Sequence, residues 1–297
     1  MENKIQLTIF TPAYNRAHTL PRTLDSLKKQ QNKNFIWLII DDGSTDDTKE
    51  LVDKWLKDDY GFEIKYIYKE NGGMHTAHNV AYQNIDTELN VCIDSDDCLA
   101  DAAVDKILNF WNKNKKDCYA GIIGLDADLN GNLIGKDLGN VKETTLSGYY
   151  NSGGAGDKKL VYRTDVIKKY PEYPVFEGEK YFGLNYKYIL VDQDYKLLAL
   201  NEVLCNVEYQ ADGSSNNMWR QYYSNPKGFA YLRKFYMKYN NSLKRNIIDN
   251  IHYVSSSLLA KDKHFIKNST SKVLTCICIP LGYVLCFIIK YKVKRRN

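Results

Sequence analysis

Glu88-Leu-Asn-Val-Cys-Ile-Asp94-Ser95-Asp96-Asp97 is the stretch from which the fold can be read. Leu89 to Ile93 is a short, β-prone apolar run, and it stops in three carboxylates within four residues. A buried parallel strand would deliver Asp94, Asp96 and Asp97 to its C-terminal end, where open α/β sheets bind ligands. Like charges this close destabilise one another unless a cation sits among them. An all-oxygen donor set suits Mg²⁺ or Mn²⁺, with a nucleotide's phosphates and water completing the shell. A second reading competes: Leu99–Trp111 is helix-like, and Ser95 or Asp97 would cap it.

Upstream, strand-like and helix-like runs alternate. Ile5–Phe10 reads as a strand, and Pro12 is expected to end it. Leu20, Leu24 and Leu27 form a helical stripe behind Thr19 and Pro21. Phe35–Ile40 is a second strand, ending in Asp41-Asp42-Gly43-Ser44, and a helix follows to about Lys57. Glu63–Tyr68 is a third strand. Asn71-Gly72-Gly73 then precedes a helix over His75–Gln83, and reads either as a phosphate-facing turn or as a plain glycine turn. This β-α-β-α-β-α-β order is that of a doubly wound, mostly parallel sheet binding a nucleotide at its edge. Neither G-x-G-x-x-G nor G-K-[ST] occurs, so the dinucleotide and P-loop modes lack support.

The pattern loosens downstream. Asp126–Gly139 reads as a hairpin or surface excursion, Leu160–Tyr162 as a strand and Leu197–Tyr209 as strands. Asp212-Gly213-Ser214-Ser215 reads as a turn, and Trp219–Tyr239 as a helical region broken at Pro226. The apolar run Val273–Ile289 carries Pro280 and Gly282 at its middle and a basic tail behind it. Its seventeen residues span roughly 26 Å as straight helix, short of the roughly 30 Å hydrocarbon core. The expectation is a re-entrant or interfacial anchor on the cytoplasmic face of the membrane, held through 273–296, in competition with a buried C-terminal helix.

Composition sets bounds. The 297 residues, 44% hydrophobic and 26% charged, are those of a folded protein. Five of the cations fall in the last eight residues, which leaves the body of the net +5 chain nearly neutral and without a nucleic-acid footprint. Seven cysteines in no C-x-x-C pair suit a reducing cytoplasm, and Met1-Glu-Asn-Lys-Ile lacks the pattern of a signal peptide.

Thr11-Pro-Ala-Tyr14-Asn15, Ile40-Asp41-Asp42-Gly43-Ser44-Thr45-Asp46, Asn71-Gly72-Gly73 and Asp94-Ser-Asp96-Asp97 together resemble the family 2 glycosyltransferases of the GT-A fold. Gly156-Asp157-Lys158, Phe176-Glu-Gly-Glu179-Lys180-Tyr181, Asn201-Glu202, Glu208-Tyr209, Asp212-Gly213 and Asn225-Pro226-Lys227-Gly228 resemble its bacterial cell-surface polysaccharide branch. The resemblance implies a GT-A domain over 1–215, with a nucleotide-binding half (1–98) and an acceptor half (99–215). A helical extension (216–268) and the anchor (269–297) follow it. It also implies an inverting, metal-dependent transferase that uses a nucleotide sugar, UDP-linked, and Mn²⁺ or Mg²⁺. The acceptor would be a polyprenyl-diphosphate-linked glycan.

By the same resemblance Thr11, Pro12, Tyr14, Asp42, Asn79, Asp94 and Ser95 bind the donor nucleotide, with Tyr14 stacking on the base. Asp96 and Asp94 hold the metal; Asp97, His75 and Lys180 are further candidates. Glu179, then Glu177, would take the acceptor's proton. Where the family often has an acid pair, this chain has Glu179-Lys180, and an exposed salt-bridging turn is the plainer reading of those two. The absence of Gln-x-x-Arg-Trp argues against processive synthesis. The rival functions are a non-catalytic nucleotide-sugar-binding module and a sugar nucleotidyltransferase.

Overall fold

The structure, a computed structural model, describes residues 4–208, 217–239 and 242–295. The Asp212–Ser215 turn, Tyr209 and Arg296 lie outside the described residues. The chain forms two compact units, Met1–Glu172 with Lys187–Tyr209, and Tyr173–Tyr186 with Gln210–Asn297. Residues 173–186, which carry Glu177 and Glu179, thus group with the C-terminal helices and not with the sheet.

In the first unit β1 (Leu7–Ala13), α1 (Leu20–Lys29), β2 (Phe35–Asp41), α2 (Thr48–Trp55), β3 (Glu63–Tyr68), α3 (Met74–Asn84) and β4 (Leu89–Cys92) alternate as expected. The chain continues through β5 (Cys98–Leu99), α4 (Ala103–Asn114), β6 (Tyr119–Asp128), β7 (Glu143–Thr144), α5 (Leu146–Asn151), β8 (Lys158–Arg163), α6 (Thr164–Ile167), α7 (Asn185–Asp194) and β9 (Lys196–Val207). The sheet order is β3-β2-β1-β4-β8-β6-β9-β5, with β7 beside β9. The first four strands are all parallel. Beyond them the sheet is mixed: β8 runs antiparallel to both β4 and β6, while β6 and β9 are parallel. The apolar runs of β1, β2 and β4 are buried on both faces, as an inner parallel sheet requires, with Phe35, Trp37 and Trp111 among the largest core side chains.

Two expectations are corrected. Pro12 does not end β1; it pairs in register with Ile40. The ladder to β4 stops at Phe10↔Cys92, so the proline sits beyond the end of the ladder where a missing N–H would be felt. Nor does Ser95 or Asp97 cap a helix, because α4 starts only at Ala103. The acids lie in the connection between β4 and β5.

The second unit contains α8 (Met218–Ser224), α9 (Pro226–Tyr239), α10 (Leu243–Leu259), α11 (Phe265–Asn268) and α12 (Lys272–Lys294). Asn225 and Pro226 separate α8 from α9, with Pro226 as the first residue of the new helix, where its missing N–H costs nothing. α12 runs as one helix through Pro280.

Candidate active site

The order 3-2-1-4 reverses direction between β1 and β4, and the crevice outside such a reversal, at the carboxyl ends of the strands, is where open α/β sheets take ligands. Tyr14 follows β1 there, and Asp94 follows β4 by two residues. Tyr14 is 46% exposed. Its loop is stapled to the loop after β2: the Asn15 N–H donates to Ser44 Oγ at 2.9 Å, and the Thr45 N–H donates to Asn15 Oδ1 at 2.8 Å. Asn15 has φ +53°, a left-handed conformation that asparagine tolerates better than most side chains. A rigid aromatic ring is thereby presented to solvent beside the crevice.

Asp42 is 4% exposed and organises the neighbouring loop. The Gly72 and Gly73 N–H groups donate to its two carboxylate oxygens at 2.9 and 2.7 Å, and the Lys69 ammonium joins them. The Asn-Gly-Gly amides thus face a carboxylate of the chain itself. Gly43 is required at this junction, because it has φ +79° and a Cβ there would lie 2.7 Å from the Asn71 nitrogen. The Thr11 hydroxyl points into the core, where it accepts from Trp37 Nε1 at 3.0 Å. His75 and Asn79 are buried on α3, and burial lowers the His75 pKa to about 4, so the ring is neutral at physiological pH.

The acidic turn is braced from three sides. The Asp97 N–H closes it onto the Asp94 carbonyl at 2.9 Å. From α1, the Thr23 hydroxyl donates to the Asp97 carbonyl at 2.8 Å, and the Arg22 guanidinium donates to the Asp96 carbonyl and to Glu208. The Glu208 N–H, just past β9, donates to Asp97 Oδ1 at 3.3 Å. Lys159 on β8 lies under the turn, its ammonium 3.8 Å from Asp97 and 3.9 Å from Asp126 of β6. Ser95 is buried within the turn, and Asp94 and Asp96 are partly exposed at its outer edge.

The electrostatics divide the acids into two groups. Burial pushes Asp97 up to about 7; Lys159 pulls it back, while Asp94 and Asp96 add to the rise. Asp126 is raised by burial as well, against Lys159. Lys159 is held well above its usual value by Asp126, Asp97 and Asp94, which outweigh its own burial. These inner groups neutralise one another. Asp96 is raised by burial and then by Asp94, against the pull of Arg16 and Arg22.

No group of three acidic, histidine or cysteine side chains converges as a metal cage among the described residues. The donor set that does fit a hard divalent cation is the Asp94–Asp96 pair, all oxygen and mutually repulsive, which needs a ligand's phosphates and water to complete it. Asp97 faces inward to Lys159 and braces the turn. Arg22, Asp126, Lys159 and Glu208 escaped the sequence reading, although Glu208 lay in a motif already singled out.

Residues 8–170 match the profile of Glycosyl transferase family 2. The chain belongs to that family. A teichoic acid poly(glycerol phosphate) polymerase of Staphylococcus epidermidis is 36% identical over 108 residues, covering 36% of this chain and 15% of the relative. A glucosyltransferase of Campylobacter jejuni named for GalNAc(5)-diNAcBac-PP-undecaprenol is 24% identical over 166 residues, covering 55% of this chain and 53% of the relative. The matches therefore span less than two thirds of these relatives. Staphylococcus aureus TarS 1–349 in complex with UDP-GlcNAc shares the fold at a TM-score of 0.62 and 15% identity, over 98% of this chain and 92% of that one. A Pyrobaculum calidifontis mannosyltransferase with GDP-Man and Mn²⁺ matches at 0.54 and 14%, over 95% and 87%. The fold is GT-A-like.

In the second unit, Glu179 is 8% exposed and both its oxygens are engaged. The Lys227 and Gly228 N–H groups at the start of α9 donate to them at 2.8 and 2.7 Å. In return Asn225 Oδ1 accepts from the Lys180 and Tyr181 N–H groups at 2.8 and 3.0 Å. Two of the motifs quoted from the sequence thus clasp each other as a reciprocal helix cap. Glu177 and the Lys180 side chain are exposed.

A cavity of about 860 Å³ opens at the amino ends of β1 and β4, lined by Gln6, Glu88, Trp111, Lys115 and Arg163 among others. Within its lining Glu88 pairs with Lys115, Arg163 with Asp165 and Lys168 with Asp86, and it lies at the opposite end of the strands from the switch-point crevice.

Proposed function

We propose that the chain is an inverting glycosyltransferase that moves a sugar from a nucleotide-sugar donor, UDP-linked, to a lipid-linked or glycan acceptor in cell-surface polysaccharide synthesis. The observation that carries this is the Asp94–Asp96 pair at the β1/β4 reversal, braced by Arg22 and Lys159 and flanked by the exposed Tyr14 ring. Tyr14 stacks on the nucleobase. Asp96, with Asp94 beside it, holds Mn²⁺ or Mg²⁺. When bound, that ion neutralises the charge developing on the departing diphosphate. Asp42 fixes the loop on the far side of the nucleoside through Gly72 and Gly73, and Asn79 and His75 lie behind it. The relatives' names support a lipid-linked or teichoic-type acceptor.

A single displacement needs one base for the acceptor hydroxyl. The Glu177/Glu179 segment supplies it. Since the Glu179 oxygens are engaged by α9, Glu177 takes the proton while Glu179 holds the segment in place, and Lys180 contributes charge to an acceptor diphosphate. The site acts at the cytoplasmic face of the membrane.

The test is UDP release from a panel of UDP-sugars with Mn²⁺, for wild type and Asp96→Ala. Release with one sugar, abolished in the variant, is the expected outcome. UDP or UDP-sugar binding without release, with or without lipid acceptor, would make the chain a binding module instead.

A further inference from the structure

By length and composition α12 qualifies to cross a membrane, with a mean hydropathy of 2.2 in its most apolar window. Its packing points elsewhere. Thr275, Cys278, Gly282, Cys286 and Ile289 are its buried residues, and at about 100° per residue they form one narrow stripe. That stripe lies on α10: the Thr275 hydroxyl donates to Asn250 Oδ1 at 2.6 Å, and a Cβ on Gly282 would come within 2.4 Å of Val254. On the opposite side Val273 (77%), Ile277 (68%), Val284 (56%), Phe287 (71%) and Tyr291 (54%) are exposed. Between the two faces, near 80° on either flank, stand Lys272, Lys290 and Lys292. Lys267 lies before the helix, and Lys294 and Arg295 lie at its end.

We propose that α12 lies flat in one leaflet of an anionic phospholipid bilayer, its Val273–Tyr291 face among the acyl chains and its flanking lysines at the headgroups. Spanning would carry α10 into hydrocarbon with its buried Asp249, paired at 2.8 Å with Arg233 of α9, its buried Asn250 and its exposed Lys244 and Arg245. Cations at both ends of α12 also place both ends on one side of the membrane, whereas a spanning helix concentrates them at one end. An apolar face flanked by lysines is the geometry of an interfacial helix, buried about 5–10 Å below the surface. The inference deepens the membrane-side part of the proposed function by fixing how the chain is held and which lipid holds it. Its test reads lipid contact and not transfer, so either can fail alone.

Spin labels at Val273→Cys, Val284→Cys and Tyr291→Cys, in the full chain with exposed Cys118 and Cys276 changed to Ser, sit on one meridian of the helix. Bound to phosphatidylglycerol–phosphatidylcholine vesicles, all three are expected at the same shallow depth. A label at Lys244→Cys is expected to remain in water. Changing Lys290, Lys292 and Lys294 to Gln should weaken vesicle binding roughly 100-fold, at about fivefold per cation, with the fold intact by circular dichroism. Val284 at the bilayer midplane with Val273 and Tyr291 at opposite surfaces would overturn the proposal. So would equal affinity for neutral vesicles, or a dimer that buries these labels and ignores lipid.

Discussion

Replacing Glu179 with Ala separates two roles that a loss of activity alone would confuse. The substitution removes the acceptor for two N–H groups at the start of α9 and takes a negative charge from the helix N-terminus. Loss of an N-terminal cap costs about 1 kcal/mol and loss of a favourable charge there about 0.3–1 kcal/mol. The low exposure of Glu179 puts the sum toward the upper end, near 2 kcal/mol. For a cooperative unit the size of the second one, where 1 kcal/mol is worth about 4–8 °C, that lowers Tm by about 8–16 °C. Glu179→Gln keeps one acceptor oxygen and turns an amide donor toward the other N–H, so it is expected to recover less than half of the loss.

The assay is thermal unfolding by circular dichroism and calorimetry, beside kcat for transfer measured well below the lowered Tm. Capping predicts a lowered Tm with transfer retained at low temperature, and transfer lost without a Tm change in Glu177→Gln. A Tm within about 1 °C of wild type together with abolished transfer in Glu179→Ala would refute the reasoning and return the base to Glu179.

Three further outcomes follow from the other unit. Asp96→Asn should abolish the thermal stabilisation that UDP with Mn²⁺ gives the wild type, about 2.7 kcal/mol at a hundredfold excess over Kd; a retained shift would remove Asp96 from the metal. Lys159→Met leaves Asp97 and Asp126 buried without their cation. It should cost about 3 kcal/mol at pH 8 and less at pH 5.5, where those raised carboxyls take up protons, as read by urea denaturation; a pH-independent loss would point to packing alone. Burial lowers His75 to about 4 and His78 to about 3, so the unfolded chain binds their protons first and stability is lost as pH falls below about 6.5. Relative to wild type, His78→Leu should gain about 2–3 kcal/mol between pH 7.5 and 4.5, and a flat difference would contradict the burial of that ring.

The first hundred residues were legible because their signals are local. β-prone runs of four to seven residues stop at Gly, Asn or Asp, and β3 begins and ends where the sequence places it. Pro12 misled because a ladder's end is set by the neighbouring strand, which the local sequence does not reveal. The antiparallel entry of β8 beside β4 is equally non-local. Lys159 is 9% exposed, because three carboxylates from other strands and turns gather around it, and nothing in its own stretch of sequence signals them. Asp94 and Asp96 stood out as a dense acidic cluster, but that Asp97 turns inward depends on β8 and β9. The resemblance marks Glu179 for chemistry. Its engagement by amides 48 and 49 residues away follows no local rule.

The placement of β8 also has a consequence for synthesis. The parallel half is complete once β4 has emerged, but the strand that covers β4's other edge comes some sixty residues later, and β9 follows last. At about 5–20 residues per second, roughly 3–13 s separate the acidic turn from the end of β8. Through that interval β4 is an open edge able to pair with another nascent chain, and Asp97 lacks the cation it is later buried against. The acids that end β4 keep the turn hydrated and discourage pairing there until Lys159 arrives. The charges of the site thus guard the half-made sheet before they serve a ligand.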